Sequence, residues 1–322
     1  MHSMNTTTGE VATASQGMRS PRRRGGRGRS PRDAGRNLFG YTLLAPGILG
    51  FVAVGGTALV WVFWLSLHSI NALSQKQTFV GLDNYARILH DPDMRTIFPN
   101  TALFVLVLSV LGTVVAVALA VMLNQKIPGI NIFRSAIFIP ALVTMVAWAL
   151  VWHFIVQPKG ALDAAFDIFG LGPYPWLRGG PLTLVIFAVI QMTKNVGVNV
   201  IIILAALQAV PNELIEAARI DGAGAWSRFR HVVVPQISPT ILMVFMLMVT
   251  GSFKVFEIVL LLTDGGPGIE SSVLSFAIYQ QAFELNDIGY ASALAVILFV
   301  AVLALTGIIW QLRKRFVYHE SE

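Results

Sequence analysis

Long apolar runs separated by short charged segments set the rhythm of this chain. No Asp, Glu, Lys or Arg falls between Arg36 and His68, between Arg95 and Lys126, between Arg134 and Lys159, or between Asp287 and Arg313. Two further apolar windows are interrupted, Gly179–Asn212 by Lys194 and Val232–Thr263 by Lys254 and Glu257. A helix needs about 20 mostly apolar residues to cross a ~30 Å hydrocarbon core. The pattern therefore predicts six spanning helices, near 38–67, 98–123, 135–157, 181–207, 236–262 and 289–311. Strands of a membrane barrel would read as alternating segments of about ten residues, and these windows are too long and too evenly apolar. The expected fold class is an all-α polytopic membrane protein.

Composition agrees. Of 322 residues, 55% are hydrophobic and only 12% charged, against about a quarter charged in an average soluble domain. Too little polar surface exists to cover a soluble globule, so a soluble enzyme, a disordered chain and a disulfide scaffold are excluded. The absence of cysteine removes disulfides, thiolate nucleophiles and thiolate metal sites.

Charge asymmetry gives the orientation. Six spans put both termini on one side. That side carries Arg19, Arg22, Arg23, Arg24, Arg27, Arg29, Arg32, Arg36, Lys126, Arg134, Arg219, Arg228, Arg230, Arg313, Lys314 and Arg315, while the other carries Lys76, Arg87, Arg95, Lys159 and Arg178. Sixteen against five places both termini in the cytoplasm. Residues 1–37, rich in Ser, Gly, Pro and Arg, cannot bury a core and read as a disordered cytoplasmic segment. No nucleic-acid partner is expected for it. The six-helix transmembrane body is 38–312, and 313–322 is a cytoplasmic tail.

Familiar catalytic patterns are missing. There is no GxxxxGK[ST] and no GxSxG, and His2, His68, His90, His153, His231 and His319 form no pair at metal-ligand spacing. The chain is expected to have no catalytic residue, no metal and no bound cofactor of its own. The glycine-rich run Thr263-Asp264-Gly265-Gly266-Pro267-Gly268 reads as a tight turn.

The most informative segment is the loop 211–235. Asn212 is a good N-cap, and Glu213 and Glu216 suit the positive end of a helix. Gly222 can end that helix in a left-handed conformation, and a second short helix is expected from Ala225 to just before Pro235. Ala217 and Ala218 leave one side small enough for another surface to approach closely. The run Glu216-Ala217-Ala218, three residues, Gly222, nine residues, Val232-x-Val234-Pro235 resembles the EAA loop of binding-protein-dependent ABC importer permeases. Val232 and Val234 depart conservatively from the Ile and Leu of that pattern. Phe79-Val80-Gly81-Leu82-Asp83-Asn84-Tyr85, Lys194-Asn195-Val196-Gly197, Gly251-Ser252-Phe253-Lys254-Val255-Phe256, Leu262 through Pro267 and Gly289-Tyr290-Ala291-Ser292-Ala293 resemble the maltose-type sugar subfamily. The resemblance implies the type I importer fold in a bacterial inner membrane. It implies that Glu216, Ala217, Ala218, Asp221, Gly222 and Pro235 form the coupling site for an ATPase, with ATP and Mg held by that partner. It further implies a second permease, two ATPase subunits and an extracytoplasmic solute-binding protein, with membrane lipid around the spans.

Polar residues at bilayer depth are costly and mark cavities or partners. Gln191, Asn195 and Asn199 recur every four residues and share a helical face, with Lys194 beside it. Lys254 and Glu257, three apart, are either a satisfied pair in cis or part of a cavity. Trp148 and Trp152, four apart, are either membrane-interface residues or stacking faces for a sugar. The expected function is alternating-access import of a sugar or oligosaccharide. An anionic solute such as a glycerol phosphate, met by Lys194, is the nearest alternative. A stand-alone secondary transporter would need intramembrane coupling carboxylates, and only Glu257 qualifies.

Overall fold

The computed structural model describes residues 42–70, 77–125, 127–171 and 174–316, with side chains to 311. The Arg-rich segment 1–37 and residues 317–322 lie outside the described residues. The chain divides into two units, Met1–Thr57 and Ala58–Glu322. Among the described residues the first unit holds one stretch of helix with a π turn over Val52–Gly56. It belongs to α1, which runs Thr42–Ser66.

In the second unit, β1 (His68–Ile70) and β2 (Gln77–Phe79) form an antiparallel hairpin with Ser69 opposite Thr78. The helices that follow are α2 (Asp83–His90), α3 (Met94–Leu123), α4 (Ile130–Leu142), α5 (Met145–Val156) and α6 (Ala161–Asp167). Next come α7 (Gly180–Ala209) and α8 (Asn212–Ile220). The helix α9 runs Ala225–Ser252 with a π turn over Phe229–Val233. After it lie α10 (Glu257–Leu262), α11 (Leu274–Tyr279) and α12 (Ile288–Phe316). Residues 313–316, expected in the tail, are thus the last turn of α12.

Among the described residues five helices are long and apolar enough to cross a membrane, and a sixth span exists if the bent pair α4 and α5–α6 counts as one. The expected third span is therefore broken, with a bend of 104° between its halves. Pro140 has no N–H to give and crowds the preceding turn. Val143 and Thr144 are extended, with ψ of 142° and 152°, and Thr144 restarts the helix by accepting from the Ala147 N–H at 3.4 Å.

The expected fifth span, 236–262, is displaced at both ends. It begins at Ala225, because the π turn lets Val234 N–H reach the Phe229 carbonyl and carries the helix past Pro235. No separate short helix stops before Pro235. At its far end α9 stops at Ser252, and residues 253–256 form a turn before α10. Ser275 donates to the Val255 carbonyl freed by that turn, at 2.6 Å.

Four apolar clusters hold the bundle among the described residues, and the two largest flank its middle. Phe104, Leu108, Leu184, Phe187, Ile190, Ile258 and Phe276 pack at the hairpin end. Ala116, Ala120, Val196, Val200, Ile203, Leu207, Ile237 and Val244 pack at the end of loop 211–235. The helices α3 and α7, each 30 residues and so about 45 Å long, run through both. Gly197 brings α7 against the backbone of α4, where a Cβ would overlap the Ile137 carbonyl and crowd Phe138 Cα.

The hairpin end is tied by polar contacts that explain two of the quoted sequence runs. Buried Asn84 donates to the Ser66 and His68 carbonyls at 2.9 and 3.0 Å. Tyr290 donates to Asp91 at 2.6 Å, and Arg87 pairs with Asp287 at 3.0 Å. Gly289 sits directly on the His68 carbonyl, leaving no room for a Cβ.

Gly197→Val should destabilise the folded chain by about 1–3 kcal/mol, because the obstacle is backbone and cannot rotate away. Gly307→Ala, inside α12 with nothing within 4 Å, should instead be neutral or stabilising, by up to about 1 kcal/mol. Thermal unfolding of the two purified variants checks this; equal midpoints would mean that α4 and α7 are not locked at Gly197.

Candidate functional site

Between the two apolar cores lies a polar level. The four-residue spacing of Gln191, Asn195 and Asn199 puts them on one face of α7. With Leu108, Met248, Gly251 and Ser252 they line a cavity of about 250 Å³. A second cavity of about 210 Å³ is lined by Met145, Gln191, Lys194, Gly251, Lys254 and Glu257, among others. Gln191 and Gly251 line both, so the two adjoin. Six of the eight cavity candidates expected from the sequence converge here.

Hydrogen bonding within this level is incomplete. The buried Gln191 Oε1 has no partner. Asn199 Nδ2 donates to the Asn195 carbonyl at 3.2 Å and lies 3.6 Å from Met248 Sδ. Lys194 Nζ donates to the Val143 carbonyl at 2.6 Å. Buried polar atoms normally find partners, so this acceptor, closed off in the present conformation, suits a donor that reaches it when the level opens.

Lys254 and Glu257 do not share a helix: Lys254 is in the turn after α9 and Glu257 opens α10. Among the described residues they form no ion pair with each other, and the break between helices is the reason. Both are exposed towards the cavity they line. Trp148 and Trp152 are not among the lining residues. They stand edge to face with centroids 6.5 Å apart and pack on the core at the hairpin end. The Trp148 indole N–H is spent on the Ile190 carbonyl at 3.2 Å. In the single chain both rings are placed by packing on the apolar core.

The residue-level reading missed the apolar and small lining, Leu108, Met145, Gly251, Ser252 and Phe256. A polar filter cannot select such positions. The signal that reached three of them was the run Gly251 through Phe256, singled out as a motif.

At the other end, α8 carries Glu216, Ala217 and Ala218. Its N-cap is Pro211, not Asn212, which is the first helical residue and makes no cap bond. The C-terminus is a Schellman turn: Ala223 N–H reaches the Ala218 carbonyl at 3.0 Å and Gly222 N–H the Arg219 carbonyl at 3.1 Å. Gly222 has φ +79° with open space around it, so glycine is required there by backbone conformation, not by crowding. Arg228 donates to the Ala223 carbonyl and fixes the turn from the far side. Glu216 and Ala217 are exposed and Ala218 half-buried. Ile220 is 86% exposed, a large apolar side chain with nothing covering it in the single chain. Asp221 is the C-cap of α8, and Pro235 is absorbed into α9.

This pairing of an intramembrane polar level with a capped, exposed helix on one face is matched by a known family. Residues 112–315 match the model described as binding-protein-dependent transport system inner membrane component, and the chain belongs to that family. It is the membrane-embedded permease component of such a system. The chain is 32% identical over 274 residues to the probable ABC transporter permease protein YurN of Bacillus subtilis, covering 84% of this chain and 94% of that one. It is 30% identical to the trehalose/maltose transport system permease protein MalF of Thermococcus litoralis, over 83% of this chain and 91% of the relative. It is also 30% identical to the sn-glycerol-3-phosphate transport system permease protein UgpA of Yersinia enterocolitica, over 85% and 94%. In fold it is similar to a chain of a bacterial ABC transporter involved in import of the acidic polysaccharide alginate, with a TM-score of 0.75 at 21% identity over 89% of this chain and 99% of that one.

The cavity assignment predicts water access. Single cysteines placed at Gln191, Asn195 or Lys254 of this cysteine-free chain should react with a small polar maleimide in detergent, and one at Trp148 should stay unreactive. Mass spectrometry of the labelled chain checks it. Equal labelling at Trp148 and Asn195 would put the polar face of α7 against packing, not against a cavity.

Proposed function

We propose that this chain is one of two transmembrane subunits of an ATP-driven importer of a sugar or oligosaccharide, working by alternating access. Closure of partner ATPases drives α8 through Glu216, Ala217, Ala218, Asp221 and Gly222. The helices around the polar level then open away from the cytoplasm to take solute from a binding protein, and hydrolysis resets them. Both termini and the loop 211–235 are cytoplasmic in this reading, in keeping with sixteen basic residues on that side. Among the described residues no group of His, Asp and Glu suits a metal ion, and in this reading ATP and Mg stay on the ATPase.

The observation that carries the solute class is the unpaired Gln191 Oε1 beside the Asn195 and Asn199 amides in adjoining cavities. Neutral donors and acceptors at fixed positions suit hydroxyl groups. A single hydrogen bond of this kind contributes about 1 kcal/mol, so Gln191→Leu should raise the KM for uptake about fivefold. The measurement is uptake by the complete transporter in proteoliposomes supplied with its binding protein. An unchanged KM for every carbohydrate taken up would remove Gln191 from the solute site.

A second reading, an anionic solute, is favoured by two lysines in the 210 Å³ cavity. Lys254→Met separates the two: loss of a phosphorylated solute with retention of a neutral sugar would favour the anion, and loss of neither would leave Lys254 outside the path.

For the docking loop, Gly222→Pro removes the Schellman N–H and forces φ out of the left-handed region, while Glu216→Lys reverses a charge at an exposed position. Both variants should insert but lose the ATPase on an affinity column, or lose stimulation of hydrolysis by loaded binding protein. Retention of the ATPase and full stimulation by both would sink the coupling assignment.

A further inference from the structure

The break in the third span leaves a backbone group in an exposed predicament. At the end of α4, Val143 turns out of the helix, and its carbonyl is among those that a helix terminus leaves without an internal partner. At bilayer depth such a group must be satisfied by protein or by the water of a cavity, not by lipid. The structure satisfies it with a side chain from another helix, the Lys194 ammonium at 2.6 Å. A cation is also favoured at the negative end of a helix, and α4 points that end at Lys194.

The surrounding contacts divide the work. One turn further along α7, Gly197 seats against the Ile137 carbonyl and Phe138 Cα, so α4 is already fixed on α7 by packing. What packing at Gly197 does not fix is the direction in which α5 leaves the break. Lys194 grips the carbonyl of Val143, two residues before α5 starts, and the first residue of α5, Met145, lines the same cavity as Lys194. A lysine ammonium carries three donors, and the Val143 bond uses one. The same group therefore faces the hinge on one side and the cavity on the other.

We infer that Lys194 is a positioning residue: it sets the angle of the broken third span by capping Val143, and through Met145 it sets one wall of the cavity. It is thus first a hinge clamp and only through the hinge a determinant of transport. Its transport arm rests on the importer reading given above; its conformational arm does not.

Two spin labels test it, at Ile132→Cys on α4 and Phe154→Cys on α5, both exposed, in a chain that has no other cysteine. Distances are measured on the full chain in nanodiscs with its co-purifying subunits and no solute. Lys194→Met, which keeps the stem but no donor, should lower the ratio of bent to reoriented conformers about tenfold or more, the lower end of what a charge-assisted hydrogen bond provides. Lys194→Arg, which restores a donor, should recover the wild-type distribution. If Lys194→Met fails to insert, Lys194→Gln provides the same test, since its N–H stops short of Val143. In uptake assays the donor-free variant should lose maximal velocity with little change in KM. A wild-type distance distribution in the donor-free variant overturns the inference whatever the uptake. So does a raised KM with an unmoved distance, which would make Lys194 a plain solute contact. If the wild-type transporter takes up no carbohydrate, the solute reading fails while the distance measurement still decides the hinge.

Discussion

Backbone polar groups buried in hydrocarbon must be satisfied inside the protein, and the breaks in this bundle are arranged around that constraint. Unbroken α3 and α7 meet it with their own ladders. The third and fifth spans break, and each break has a dedicated donor: Lys194 for Val143, and Ser275 for Val255. The π turn before Pro235 is a third solution, in which the ladder widens to pass a residue that has no N–H. Irregular backbone at this depth is tolerated where it borders a cavity, and both broken spans contribute residues to the 210 Å³ cavity.

In the importer reading proposed above, that arrangement gives motion a defined route to the polar level. The polar level is held between two apolar cores that share α3 and α7. Motion that reaches it must come along those helices or through the breaks. The α8 helix lies on the chain between α7 and α9, the two helices that carry most of the polar lining. Its Schellman cap and the Arg228 bond to Ala223 make it a rigid tab. A push on that tab therefore acts on both walls of the cavity at once.

The hairpin end has a different logic. Tyr290, Asp91, Arg87 and Asp287 join α2 to α12 by short polar contacts, Asn84 ties α2 to the Ser66 and His68 carbonyls, and the Arg87 guanidinium also lies 4.6 Å from the centre of the Tyr290 ring. The sequence runs around Asn84 and Tyr290 are thus two halves of one joint, with Gly289 and Gly81 as the positions where backbone must approach or turn. This joint closes the end of the bundle farthest from α8.

Four charge-free windows and two interrupted by a single charge or a Lys–Glu pair marked the apolar segments, because hydrocarbon thickness imposes one length on every span. The EAA spacing located the loop, and the four-residue period located the polar face of α7, because local geometry dictates both. Breaks were not legible. Pro140 and Gly251 permit a break, but Pro99 and Pro239 lie inside continuous helices, so the outcome depends on which neighbour supplies the missing hydrogen bond. For the same reason the sequence left Lys254 and Glu257 open between a pair in cis and a cavity, and Lys194 without a partner. The tryptophans at 148 and 152 follow the same rule: their spacing sets one face, and only packing decides that this face meets the apolar core. What the sequence determined by itself was everything fixed by length, period and local cap chemistry. The tertiary structure decided everything that required a donor, an acceptor or a wall from a distant helix, since such contacts exist only once the helices are packed.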